Sequence, residues 1–137
     1  MSGIIGTIHV AAATVGASEV TTVRASRQSS TTVATIITPA SGKRVRIISV
    51  NMSILDGANM EAEIYFGDGA NIATTPANAI WDYSMRRKTD NAFALVSDSF
   101  GWPDGGGPVG DVDEVVSHRA GISVSTTVYT IIHFREE

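Results

Sequence analysis

Apolar and polar side chains alternate along most of this chain, and the clearest example lies in residues 122–134. One side of this segment carries Ile122, Val124, Thr126, Val128, Thr130, Ile132 and Phe134. Because successive side chains of a strand point to opposite sides, a period of two predicts a β-strand. The segment is also rich in β-branched residues, which strands favour and helices accommodate poorly.

Similar patterns predict further strands, separated by turns. The predicted strands cover residues 31–38, 43–54, 60–66, 79–85, 92–96 and 112–119. The connections contain Gly, Pro, Asn and Asp, which are turn residues, and the longest is the Gly/Pro-rich segment 98–111. Because no useful segment repeats every 3.6 residues, we predict an all-β fold. Seven or eight short strands favour a single β-sandwich of jelly-roll type.

An apolar stretch near the N-terminus has no place in this alternating core. Its members are Ile4, Ile5, Ile8 and Val10. Glycine and polar residues interrupt it, and no basic region precedes it, which argues against a membrane span and a signal peptide. We expect residues 1–18 to form an extended arm or a first strand, and residues 19–137 to form the sandwich. The four apolar residues would then anchor the arm against a neighbouring subunit.

Composition narrows the class of protein. A length of 137 residues suits one domain. The absence of cysteine excludes disulfides and thiolate metal sites. Charged residues make up 18% of the chain, below the usual ~25%, and small polar residues replace them. Such surfaces suit contacts between subunits, and a net charge of −4 argues against non-specific nucleic-acid binding.

Charge is distributed unevenly along the chain. Residues 1–55 carry five basic and one acidic side chain, or +4, whereas residues 56–137 carry five basic and thirteen acidic ones, or −8. The five basic residues of the first part are Arg24, Arg27, Lys43, Arg44 and Arg46. Chance and solvation are one explanation of this asymmetry. The other is that oppositely charged faces meet between copies of the chain or on a partner. Under the second explanation we expect these five residues to face an acidic surface.

Candidate catalytic and metal-binding residues follow no recognised spacing. His9, His118 and His133 are too far apart for a local zinc motif, so we expect surface or half-buried strand histidines. Four loop carboxylates, which we interpret as solvated, miss the EF-hand spacing. They are Asp104, Asp111, Asp113 and Glu114.

Glu61 and Glu63 imitate a glycosidase pair, but their spacing puts both on a solvent-facing strand edge. The chain also lacks a nucleophile elbow and a phosphate-binding loop. We therefore predict a protein that is not an enzyme and that uses no metal and no cofactor.

Four aromatic residues allow two interpretations: burial in the core or a subunit interface, or stacking on sugar rings. They are Trp81, Tyr83, Phe100 and Trp102. Trp81 and Tyr83 alternate as core residues do. Trp102, in a Gly/Pro-rich loop, is the candidate for an external contact.

Residues 41–50, SGKRVRIISV, resemble a segment of small virion proteins of tailed bacteriophages, in which a Gly-Lys turn leads into a basic and then apolar strand. Residues 102–110, WPDGGGPVG, and 129–137, YTIIHFREE, look similar to the same kind of protein. The proteins that they resemble are capsid decoration, or cement, proteins. Such proteins are β-sandwich or jelly-roll modules, are commonly trimeric, and sit where capsomers meet. The resemblance covers residues 31–137, and no position carries a motif that would transfer a binding residue.

The resemblance implies a structural protein, synthesised in the host cytoplasm, that binds the major capsid protein on the outer capsid surface. It implies a homotrimer that binds neither nucleic acid nor membrane. Binding only the expanded lattice would stabilise that lattice by mass action, and three linked copies would multiply weak contacts. The alternative is another virion β-module, such as a tail or fibre piece or a glycan-binding head domain.

Overall fold

A computed structural model describes residues 7–15, 18–28, 31–55, 60–69, 76–85, 95–103, 106–120 and 127–137. These ranges contain nine β-strands: β1 (Thr7–Val15), β2 (Ser18–Gln28), β3 (Ala34–Ile37), β4 (Val45–Leu55), β5 (Met60–Phe66), β6 (Ala79–Met85), β7 (Leu95–Gly101), β8 (Val116–Ala120) and β9 (Thr127–Glu136). One 3-10 turn, Pro76–Asn78, precedes β6. The described ranges include no helix with the length and apolarity needed to cross a membrane.

The strands form two antiparallel sheets that pack against each other. The large sheet has the order β1-β2-β9-β4-β7, and the small sheet has the order β3-β8-β5-β6. A continuous cluster of buried apolar side chains from both sheets lies between them. The predicted all-β sandwich is therefore confirmed.

The pairing of β2 to β9 is nested. Strand β2 pairs with β9, β3 with β8, β4 with β7 and β5 with β6. This stretch of chain is therefore one long antiparallel ribbon, which is folded so that β4 also lies beside β9 and β5 beside β8. A nested ribbon is the strand order expected of a jelly roll. The jelly-roll assignment stays a prediction.

One strand was missed by the sequence analysis, and two predicted strands had clearly wrong boundaries. Strand β2 was not predicted, β7 runs on to Gly101 instead of ending at residue 96, and β8 begins at Val116 rather than at residue 112. Strands β2 and β7 carry many polar residues because one side of each faces away from the core. They become strands through backbone pairing with β9 and β4, and the local sequence does not reveal this pairing.

Residues 7–15 form a strand at the edge of the large sheet. Strand β1 pairs with β2, and the register shifts between Val10 and Thr14. The N-terminal segment was expected to form either an extended arm or a first strand, and residues 7–15 form a first strand. Ile4 and Ile5 lie outside the described residues, whereas Ile8 occupies a position in β1 together with Val10. The boundary after residue 18 and the anchoring role of these residues stay predictions.

His118 lies inside the sandwich, so the prediction of a surface or half-buried residue was wrong for it. It is 2% exposed and sits directly across from Ile64 of β5. Alternation along β8 places it on the same side as the core residues Val116 and Ala120. The short strand VSHRA carries too few apolar residues for its buried side to be recognised from the sequence.

Candidate functional site

The five basic residues predicted to face an acidic surface occupy separate places in the structure. Arg24 is exposed on β2, and Arg27 is the register partner of Val128 near the end of the same strand. Lys43 and Arg44 are exposed just before β4 begins. The structure therefore does not gather them into a single basic patch.

Arg46 is held by groups of its own chain. Its Nε and Nη2 donate to the two carboxylate oxygens of Glu137, each at 2.9 Å. Its Nη1 donates to the carbonyl oxygen of Gly107 at 3.1 Å. Hydrogen bonding by Arg46, reinforced by the positive charges of Arg46, Arg135 and Arg44, lowers the pKa of Glu137. We call this bidentate pair and the adjoining backbone hydrogen bonds between Arg44 and Glu137 the terminal clamp.

Part of the Gly/Pro-rich segment is bound to β4 rather than forming an open loop. Residues 106–113, here called the strap, continue along β4 beyond the end of β7. Ile47 donates its backbone N–H to Pro108, Gly110 donates to Val45, and Asp113 donates to Lys43, at 2.8–3.0 Å. Gly107 is required here because a Cβ atom would overlap the carbonyl oxygen of Ile47.

The carboxylates near the strap accept backbone hydrogen bonds. Asp113 accepts one from Gly42 at 2.6 Å, and Glu114 accepts one from Asp111 at 2.7 Å. Asp104 lies outside the described residues. Where the structure describes the chain, no cluster of three or more potential metal ligands is found. These carboxylates therefore order the turns at this end of the sandwich.

Three aromatic rings, here called the aromatic cluster, meet where the edge strands β6 and β7 of the two sheets come together. The ring centroids of Trp81 and Phe100 are 5.7 Å apart, and those of Phe100 and Trp102 are 4.9 Å apart. Both tryptophans are partly buried against the core, whereas Phe100 is 46% exposed. Trp102 was the predicted external contact, but Phe100 is the most exposed ring of the aromatic cluster. Tyr83 takes a position in β6.

The outer side of the large sheet is broad, and most of it is exposed or half-buried. We call it the open face and define it by Thr22, Arg24, Ser26, Ser49, Asn51, Ser53, Ser99, Tyr129, Ile131 and His133, which the strand registers place on one side. Tyr129 is 44% exposed, and Arg24 and Ser99 are also exposed, whereas Thr22 is buried at 7% and the other six are half-buried. The Thr22 hydroxyl is 2.8 Å from Nδ1 of His133. Apart from Arg24, these ten side chains are neutral or histidine, and Arg46 of the terminal clamp and its register partner Arg135 continue the same side of the sheet.

The outer side of the small sheet differs, because its central part is buried. We call Glu63, Tyr65 and Ser117 the covered face, since none is more than 6% exposed although strand alternation directs them away from the core. The guanidinium Nε of Arg119 lies 3.3 Å from Glu63 Oε2. The Tyr65 hydroxyl and Ser117 Oγ are buried without a hydrogen-bond partner, and burial raises the pKa of Tyr65.

The predicted position of the glutamate pair was wrong for Glu63. Strand β5 is internal to the small sheet, and Glu63 is buried beside Arg119, whereas Glu61 is exposed. The two carboxylates therefore do not share one solvent-facing site. A buried carboxylate is costly unless an opposite charge lies beside it. Arg119, the cross-strand partner of Glu63, supplies that charge, so we interpret Glu63 as a structural residue.

Tyr129 and Ile131 were not among the predicted contact residues. Part of their signal was present in the sequence, because both fall on the side of residues 122–134 opposite Val128, Thr130 and Ile132. The structure buries those three residues, and apolar side chains on the opposite, outer side indicate a contact surface.

Comparison of the sequence with protein-family models and with curated proteins finds no match.

Proposed function

We propose that this chain is a non-enzymatic structural protein of a phage virion. In this proposal it is a jelly-roll module that attaches as a homotrimer to the major capsid protein on the outer capsid surface and stabilises the shell. The open face is the observation that carries the proposal. The resemblance of residues 41–50, 102–110 and 129–137 to decoration proteins supports the choice of partner.

A broad sheet surface suits another protein surface better than a small ligand, because small-ligand sites are concave and enclose most of the ligand. Ser, Thr and Asn side chains on the open face can exchange hydrogen bonds with a partner. Their low charge keeps the cost of removing them from water small.

The size of the open face favours attachment by several copies. The four strands that contribute to it, β2, β9, β4 and β7, are spaced ~4.8 Å apart and, at ~8 residues each, give a surface of about 500 Å². Stable interfaces bury about 800 Å² on each partner, so one copy would hold weakly. Linking three copies raises the apparent affinity without any new contact.

The proposal is tested by co-sedimentation with empty shells of the phage whose genome carries the gene. The purified chain is mixed with expanded and unexpanded shells, and its mass in solution is measured by light scattering. We expect binding to expanded shells and a mass near three times 14.4 kDa. Absence from both kinds of shell at micromolar concentrations would contradict the proposal, whatever the oligomeric state.

The aromatic cluster favours a second candidate function, binding of a glycan by a virion head or fibre module. Phe100 presents a partly exposed ring beside two tryptophans, and their fluorescence would report a sugar bound there. Quenching by a glycan that is abolished in Phe100→Ala, with the melting temperature unchanged, would favour this function. Unchanged fluorescence across a glycan panel would remove it.

A further inference from the structure

We infer that the open face is the surface that meets the shell, and that the shell surface it meets is acidic. This inference rests on the proposed function and adds to it which side of the sandwich binds and what chemistry the partner presents.

The choice of side follows from accessibility. On the covered face Tyr65 and Ser117 have no exposed surface, so the middle of the small sheet cannot touch a partner. The end at which β4 begins is occupied by the strap and the terminal clamp. Across the described residues, the open face is the one sheet surface that combines an accessible tyrosine with an accessible arginine.

The sign of the partner follows from charge. Strand register places Arg24, Arg46 and Arg135 on the outer side of the large sheet. In the described strands, no Asp or Glu shares that side with Arg24, and the nearby Glu137 is already paired with Arg46. The whole chain carries a net charge of −4, so this side is opposite in sign to the rest of the protein. An acidic partner would be drawn to this side and repelled elsewhere.

The same charges argue against a second copy as the occupant. Two open faces packed against each other would bring arginine-bearing surfaces together, and like charges across an interface are unfavourable. The self-contacts of a trimer must then use other surfaces, which leaves the open face available to the shell.

The experiment compares two charge reversals of equal size in the full chain. Arg24→Glu changes the open face, whereas Lys43→Glu changes an exposed lysine outside it. Affinity for expanded shells is measured by co-sedimentation at several salt concentrations, and folding is checked by thermal unfolding. We expect Arg24→Glu to weaken binding about tenfold at low salt and Lys43→Glu to change it less than about twofold. Added salt should weaken binding of the unaltered chain.

A second matched pair adds charge without removing any contact. Ser99→Glu places a carboxylate on the exposed edge of the open face, and Thr35→Glu places one on an exposed position of the small sheet. We expect only Ser99→Glu to weaken binding. If the unaltered chain binds and both members of each pair behave alike, the inference is overturned while the proposed function stands. If the unaltered chain binds no shell, both are overturned.

Discussion

The outer sides of the two sheets begin from the same sequence rule and end in different environments. Tyr129 on β9 and Tyr65 on β5 both occupy internal strands and both point away from the core, yet Tyr129 is 44% exposed and Tyr65 is 0% exposed. Alternation tells which residues share a side of a strand. It does not tell whether that side meets water.

The difference also changes what polar groups cost. On the open face Thr22 bonds to His133, and other hydroxyls can bond to water. On the covered face the Tyr65 hydroxyl and Ser117 Oγ are buried with no partner. A buried polar group without a partner costs about 1–3 kcal/mol. The covered face therefore gains stability from burial of its ring and loses part of it through its hydroxyls.

The largest expected effect comes from removing each tyrosine side chain. Tyr65→Ala should lower the free energy of unfolding by about 3–5 kcal/mol, because truncation of a fully buried aromatic ring leaves a cavity. Tyr129→Ala should lower it by less than about 1 kcal/mol, since only cross-strand contacts on an exposed surface are lost. Urea unfolding followed by tryptophan fluorescence measures both. Equal losses would mean that the two faces do not differ in burial.

A smaller effect separates the two kinds of hydroxyl. Thr22→Val removes a hydrogen bond to His133 while keeping the side-chain shape, and should cost about 1 kcal/mol. Tyr65→Phe removes a hydroxyl that has no partner, so stability should stay the same or rise by up to about 1 kcal/mol. Urea unfolding at pH 7 compares them. A larger loss in Tyr65→Phe than in Thr22→Val would show that the tyrosine hydroxyl is hydrogen-bonded after all.

Much of the fold could be predicted because the pattern was local. Strands β5 and β6 begin and end where alternation predicted, and turn residues separated most other strands. Strand β2 escaped because its sequence SEVTTVRASRQ is polar on one side and only weakly apolar on the other. It becomes a strand through pairing with β1, which precedes it, and with β9, which lies at the other end of the sequence.

The candidate site was less predictable because it depends on contacts between distant residues. The sequence shows an unequal charge distribution, but it does not show that Arg46 pairs with Glu137, 91 positions away. It signalled two carboxylates at Glu61 and Glu63, but not that β5 would lie inside a sheet. A period of two also does not tell that Glu63, Tyr65 and Ser117 are buried although they point away from the core.

The smallest expected effect concerns the terminal clamp, beside the open face. Arg46 lowers the pKa of Glu137 in the folded chain, so the pair stabilises the fold above the unfolded pKa of about 4.3 and that contribution is lost as pH falls through the folded value. Because the Glu137 side chain is 40% exposed, the contribution should be under about 1 kcal/mol. Urea unfolding of Glu137→Gln, Arg46→Gln and the double variant isolates the coupling. We expect the coupling at pH 7 to shrink in acid and in high salt, whereas a coupling that persists at pH 2 would show that the carboxylate charge is not its source.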